Sequence, residues 1–203
     1  MRKSAILLLT VGLLAGCMTV PSKRYFQIAI PPGQDEAMHP WIGKVLYIEP
    51  VRVDPLYDDF RILYRVSLYE LKYYSYDFWA KKPDALFREA AGGYLDKRQG
   101  FSRVVLDVLQ ATPEIVLRSN LRLVEEVDTP QTWFGRLAMD LEFLEFKSGR
   151  SLAKYSFDRR MPLAERKVRY LPAAVSTILK EELDKAVAAL AEALEGTGAR
   201  PAS

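Results

Sequence analysis

The sequence predicts an α+β domain in which a mostly antiparallel or mixed sheet carries two helices, all of it behind an N-terminal segment that is removed. Three observations predict it. Several stretches of 5 to 15 residues alternate apolar and polar with the period of a strand, two segments (83–97 and 171–195) repeat at three and four residues, and a ten-residue apolar run near the start ends at small residues.

That first run sets the address. Arg2 and Lys3 form a positive n-region, Ala5 to Leu14 the apolar run, and Ala15-Gly16 precede the chain's one cysteine, Cys17. The run falls short of the roughly 20 apolar residues a spanning helix needs. Leu14-Ala15-Gly16-Cys17 resembles the lipobox of bacterial lipoproteins, which implies a signal peptide over residues 1–16 and acylation of Cys17 at the mature N-terminus. The next residues are Met18 and Thr19 rather than an aspartate, so the resemblance implies the outer membrane, periplasmic face. Two or three acyl chains anchor where one binds reversibly, because each buried methylene contributes about 0.8 kcal/mol.

Composition bounds the mature part. Losing Arg2 and Lys3 leaves 27 basic residues against 26 acidic ones over 187 residues, so a formal charge of +3 becomes +1 and no nucleic-acid partner is implied. The whole chain is 49% hydrophobic, and the mature length suits one core and one domain, over residues 25–195. With one histidine (His39) and no second cysteine, neither a disulfide nor a Cys/His metal site can be built; no cofactor and no catalytic residue is assigned.

Residues 17–24 read as the acylated cysteine and a tether, from Met18 about 25 Å long at full stretch, at about 3.3–3.6 Å per residue. Arg24 to Ile30 is a short strand stopped by Pro31-Pro32-Gly33, and His39 falls in the polar loop that follows. Lys44 to Val53 alternates as a strand, bulged or at an edge near Pro50, which cannot donate to a ladder. Asp54-Pro55 and Asp58-Asp59 mark a turn whose acids face water. Arg61 to Ser67 and Tyr69 to Phe78 are two aromatic-rich strands. Tyr73 and Tyr74 are neighbours and must point to opposite faces, so one leaves the core; Tyr73, Tyr74 and Tyr76, with Asp58 and Asp59, are the candidate partner interface.

Pro83 opens a helix that runs to Lys97 with Leu86, Phe87, Ala90, Tyr94 and Leu95 on one side. Gly92-Gly93 cost it about 1 kcal/mol each relative to alanine, which close packing against the sheet would explain. Phe101 to Asp107 returns to strand. The chain carries Arg24-Tyr25-Phe26, Val51-Arg52-Val53, Ile62-Leu63-Tyr64-Arg65, Tyr73-Tyr74 with Phe78-Trp79-Ala80, and Gly100-Phe101 ahead of Val104-Val105. Through these motifs, and over Val45 to Val105, it resembles the ABC-type transport auxiliary lipoprotein family, the group containing PqiC-type lipoproteins. Where relatives tend to have a leucine-aspartate-basic-proline run, this chain has Tyr57-Asp58-Asp59-Phe60.

Ile115 to Val127 places Leu117, Leu121, Leu123 and Val127 on one face and Arg118, Asn120, Arg122 and Glu126 on the other. Trp133 to Lys147 turns at Lys147-Ser148-Gly149-Arg150 into Ser151 to Met161, a long antiparallel hairpin. Glu125, Glu126, Glu142 and Glu145 then read as a solvated rim. Leu171 to Glu195 carries an apolar stripe (Val175, Ile178, Leu179, Leu183, Val187, Leu190, Leu194), Gly196 stops it, and 196–203 is a tail.

The residues themselves imply no enzyme but an adaptor or binding role. The resemblance implies a lipid-anchored auxiliary component of an ABC transport system of the mammalian-cell-entry type, with a periplasmic transporter subunit or further copies of itself as partners, in lipid trafficking between membranes. A periplasmic lipid carrier with a pocket under the aromatic strands is the alternative, and an envelope hydrolase a weaker one. A large apolar cavity would mark the carrier; a filled core with an exposed aromatic edge would mark the adaptor.

Overall fold

The computed structural model describes residues 22–31, 40–98 and 100–198. Cys17 with the signal segment, His39 and residues 199–203 lie outside the described residues. The strands are β1 (Arg24–Phe26), β2 (Val45–Ile48), β3 (Arg52–Val53), β4 (Arg61–Arg65), β5 (Leu71–Trp79), β6 (Arg103–Val105), β7 (Ile115–Asp128), β8 (Trp133–Glu145) and β9 (Ser151–Pro162). Two helices, α1 (Pro83–Lys97) and α2 (Leu171–Gly198), complete the described chain, the second entered through a single 3-10 turn at Val168–Tyr170.

All nine strands form one mixed sheet built along β7. One edge of β7 pairs antiparallel with β8 from Ile115↔Glu145 to Asp128↔Trp133, and β8 pairs antiparallel with β9. The other edge takes three short parallel strands in succession: β2 (Leu46↔Ile115), β3 (Arg52↔Asn120) and β4 (Tyr64↔Glu126). Beyond β4 come β5, antiparallel, and β1, parallel to β5; beyond β2 comes β6, parallel. The long ladders are therefore antiparallel and the short additions mostly parallel. Pro50 accounts for the break between β2 and β3, which the alternation of Lys44 to Val53 presents as one strand. The first strand is likewise shorter than its apolar run, ending at Phe26.

The core lies between the sheet and the helices. Leu46, Ile48, Leu117, Leu121, Leu137, Met139, Leu141 and Phe143 from the strands meet Leu86, Phe87 and Leu95 of α1 and Leu171 to Leu190 of α2 in one continuous buried cluster. The apolar stripe of α2 is buried as its spacing predicts, and Tyr155 and Arg159 of β9 reach Glu182 and Glu181 on its flank. Gly196 does not end the helix, which continues to Gly198.

Two glycines matter for close approach. A Cβ on Gly92 would stand 3.1 Å from Leu106 Cδ2, which is the packing against the sheet that the pair suggested, whereas Gly93 faces open space. At Gly135 in β8 a Cβ would meet Leu171 Cδ1 at 3.0 Å and Ala174 Cβ at 3.3 Å, so the start of α2 rests on bare backbone.

β7 departs from strict alternation. Leu121 faces Met139 and Leu123 faces Ala138, leaving Arg122 bulged out. Past that point the faces exchange: Val124 takes the core side that Leu123 was predicted to hold, and Glu126 turns toward the helices. Glu125 and Glu126 are consequently buried at 0% and 1% exposure and are not part of a solvated rim, unlike Glu142 and Glu145.

Candidate partner interface

The aromatic strands end at the β1 edge of the sheet, and there the side chains stack into a surface. Tyr25 of β1 lies opposite Phe78 of β5 and stacks on it with centroids 5.7 Å apart, while Lys23 Nζ sits 5.4 Å over the same ring. Arg61, the other neighbour of Phe78, lays its guanidinium 4.2 Å from the centroid of Tyr73, whose hydroxyl donates to the Leu56 carbonyl oxygen at 2.8 Å. Tyr25, Phe60 and Tyr76 stay exposed along this edge, Tyr25 by 64%. Asp59 pairs with Arg61 (2.6 Å) and Asp58 with Lys82 (3.1 Å). The Arg61 hydrogen bond holds the Asp59 carboxyl below its ordinary value.

Of the five residues singled out in the sequence, Tyr73, Asp59 and Asp58 thus border one surface, and Tyr76 adds an exposed ring. Tyr74 goes elsewhere: its ring lies 4.4 Å from that of Tyr64 and its hydroxyl donates to Glu126 Oε2 at 3.1 Å. Neither Tyr73 nor Tyr74 is free. Both are half-buried and hydrogen-bonded, because each face of β5 is partly covered, one by the 54–60 loop and one by Glu126. Tyr25, Phe60 and Arg61 were missed; Tyr25 gave a signal, since a lone strand before Pro31-Pro32 belongs at an edge.

Two adjacent buried acids of β7 lie nearby, Glu125 beneath this surface and Glu126 on the opposite face of the sheet with Tyr74. Glu125 accepts a bidentate pair from Arg65 (2.8 and 2.9 Å) and the Tyr57 hydroxyl (3.2 Å), with Arg136 at 3.6 Å and in turn bound to Asp158. Tyr57, from the segment that departs from the related pattern, is thereby drawn under the loop and buried, and burial together with Glu125 pushes its phenol up. Among the described residues no salt bridge reaches the adjacent Glu126, and the charge of Arg166 lowers its pKa only weakly. Burial pushes its carboxyl from 4.5 up to about 7, the Tyr74 hydrogen bond opposing the shift only in part.

This fixes a pH dependence. The folded state holds the Glu126 proton more tightly than the unfolded chain, so its contribution to stability is complete below about pH 4.5 and is lost as pH rises through 7. Glu126→Gln, which keeps an acceptor for Tyr74, is expected to flatten that fall. At pH 8 the variant should be the more stable by up to about 3 kcal/mol, at about 1.4 kcal/mol per pH unit between the two titrations. Urea midpoints of both proteins at pH 5 and pH 8 measure it; parallel behaviour would show Glu126 to be ionised at ordinary cost.

Among the described residues no group of three or more His, Cys, Asp or Glu side chains could hold a metal ion, and no helix is long and apolar enough to cross a membrane. The model of the ABC-type transport auxiliary lipoprotein component family matches residues 26–195. The chain belongs to that family. No curated protein matches the chain. Among solved structures, a Xanthomonas campestris protein of family DUF330 is 14% identical with a TM-score of 0.72, over 88% of this chain and 100% of its own. An uncharacterized protein, also 14% identical, gives 0.63 over 86% and 99%, and a hypothetical protein from Chlamydia trachomatis, 7% identical, gives 0.52 over 74% and 99%. At these identities the likeness shows that the auxiliary-lipoprotein fold is shared, and nothing more.

Proposed function

We propose that this auxiliary lipoprotein is anchored through acylated Cys17 to the outer membrane, on its periplasmic face, and serves as an adaptor for an ABC transport system of the mammalian-cell-entry type in lipid trafficking. The family match over residues 26–195 carries the reading. Its contact surface is the β1 edge, where Tyr25, Phe60 and Tyr76 present rings to solvent between Lys23, Arg61, Asp58 and Asp59. Aromatic and arginine side chains are the types enriched in interface centres. A periplasmic subunit of the transporter is the partner, and β1, the edge strand among the described residues, leaves pairing with another copy as the second mode.

The packing between sheet and helices supports an adaptor over a carrier. Phe87, Phe143, Leu46, Leu117, Leu137 and Ile178 are fully buried in one core cluster where a carrier would hold its ligand, and three clefts of about 290–330 Å³ among the described residues open at the surface. The anchor is tested by the mass of the mature N-terminal peptide and by density fractionation of the envelope. The expected result is an acylated Cys17 peptide in the outer-membrane fraction, and an unprocessed or soluble protein from Cys17→Ala. A mature peptide with an unmodified thiol would overturn the lipoprotein reading.

A further inference from the structure

We propose that one end of this domain, formed by Leu68, Tyr69 and Trp133, rests on the anionic phospholipid surface in which Cys17 is anchored; the proposal rests on the lipoprotein reading above.

The direction of the chain selects this end. β1 runs parallel to β5 with Arg24 opposite Asp77, so the N-terminal end of β1 faces the start of β5, where the β4–β5 hairpin turns. From Ser22 to Cys17 the chain spans at most about 18 Å at about 3.3–3.6 Å per residue. The stretch of β5 between that point and the hairpin tip is of the same order, about 3.3 Å for each residue. A chain of that length starting at the β1 edge can therefore place Cys17 near the tip. The opposite end of the molecule lies the full length of β8 away, 13 residues or about 44 Å.

The side chains at this end suit a membrane surface. β4 is parallel to β7 with Arg65 opposite Val127, so the hairpin tip at 66–70 and the turn at 129–132 project the same way, two strand spacings or about 10 Å apart. Leu68 is 76% and Tyr69 93% exposed, and Trp133 opens onto a cleft of about 330 Å³ with Phe134, Pro162 and Leu163. Tryptophan and tyrosine settle at the headgroup level of a bilayer, where an apolar ring body and a polar edge are both accommodated.

Charge points the same way. Arg160 lies over Phe134, and the loop from Leu163 to the start of α2 adds Arg166, Lys167 and Arg169. The acids that meet them are Asp158, near Arg160 and itself bound to Arg136, Asp128, bound to Arg166, and Glu165, bound to both Lys167 and Arg169. At the hairpin, Glu70 is balanced by Lys72. Basic groups are in excess around the apolar tips, which suits the phosphates of an anionic leaflet.

Tryptophan quenching tests this, since the chain's exposed indoles lie at opposite ends. Trp133 is at the tip, Trp79 is buried, and Trp41 is exposed by the β2 and β6 end, where Ile42 N–H donates to the Gly100 carbonyl. The acylated full-length mature protein, its N-terminal mass confirmed, is reconstituted into phosphatidylethanolamine and phosphatidylglycerol vesicles with brominated acyl chains. Emission is expected to be quenched in the native protein and in Trp41→Phe, and the quenching lost in Trp133→Phe. Quenching that disappears with Trp41→Phe instead, or none in any protein, would overturn the proposal while leaving the anchor intact. An N-terminal peptide without acyl chains would overturn the lipoprotein reading and this proposal with it.

Discussion

A chain ending before Leu171 does not unfold cooperatively: this is the largest effect the structure predicts. Leu171, Val175, Ile178, Leu179, Leu183, Val187 and Leu190 are buried to 1% exposure or less, and they fill the space above Leu137, Met139 and Leu141. At about 1.5–3 kcal/mol for each large side chain, their loss equals or exceeds the whole stability of a typical domain, about 5–15 kcal/mol. Truncation would also expose the core face of β8 and β9, and it would strand the Ala29 N–H that Ser176 Oγ now accepts. Thermal melts of the full and truncated proteins decide the matter. A sharp transition from the truncated form would make α2 peripheral to the core.

The second largest effect is expected at Arg65. Glu125 is fully buried, and the bidentate Arg65 guanidinium provides its closest charge; Arg136 stands farther off and is shared with Asp158. Arg65→Ala should therefore cost about 3–5 kcal/mol, the range for a buried pair broken on one side. The same principle says that the attraction between the two mainly repays their desolvation. The double variant Arg65→Met/Glu125→Leu should then recover most of the loss, although the Tyr57 hydroxyl gives up its acceptor. Urea midpoints of the two variants test this. Equal destabilisation in both would mean that the pair contributes net stability of its own.

Much of this fold was legible in periodicity. α1 was bounded at Pro83 and Lys97 because a proline at the first turn and a repeat at three and four leave little choice, and the β8–β9 hairpin followed from alternation on either side of Gly149. What periodicity cannot report is a residue that drops out of the count. The bulge at Arg122 exchanges the faces of β7, so Glu125 and Glu126 were read as solvated when each is buried beneath a tyrosine hydroxyl. The order of strands was equally hidden, since β2, β3 and β4 are short and take their places from β7 rather than from one another. The proposed contact surface was half legible. Tyrosine density marked β5, but only the pairing of β1 with β5 brings Tyr25 onto Phe78 and makes Lys23 and Arg61 part of the same surface. Tyr73 and Tyr74 do face different neighbours, yet hydrogen bonding ties both down.

If the anchored auxiliary lipoprotein holds a transporter subunit through its β1 edge, as proposed, Tyr25 and Tyr76 are the side chains to change, since both are exposed. The measurement is quantitative co-purification of periplasmic mammalian-cell-entry subunits with the tagged, acylated protein from cross-linked envelopes, for the native chain and for Tyr25→Ala/Tyr76→Ala. The account predicts that such a subunit is recovered with the native protein and lost with the double variant, while the melting temperature of the variant stays within a degree or so, as for surface substitutions generally. Equal recovery of the subunit by both proteins, or its absence from the native one, would contradict it.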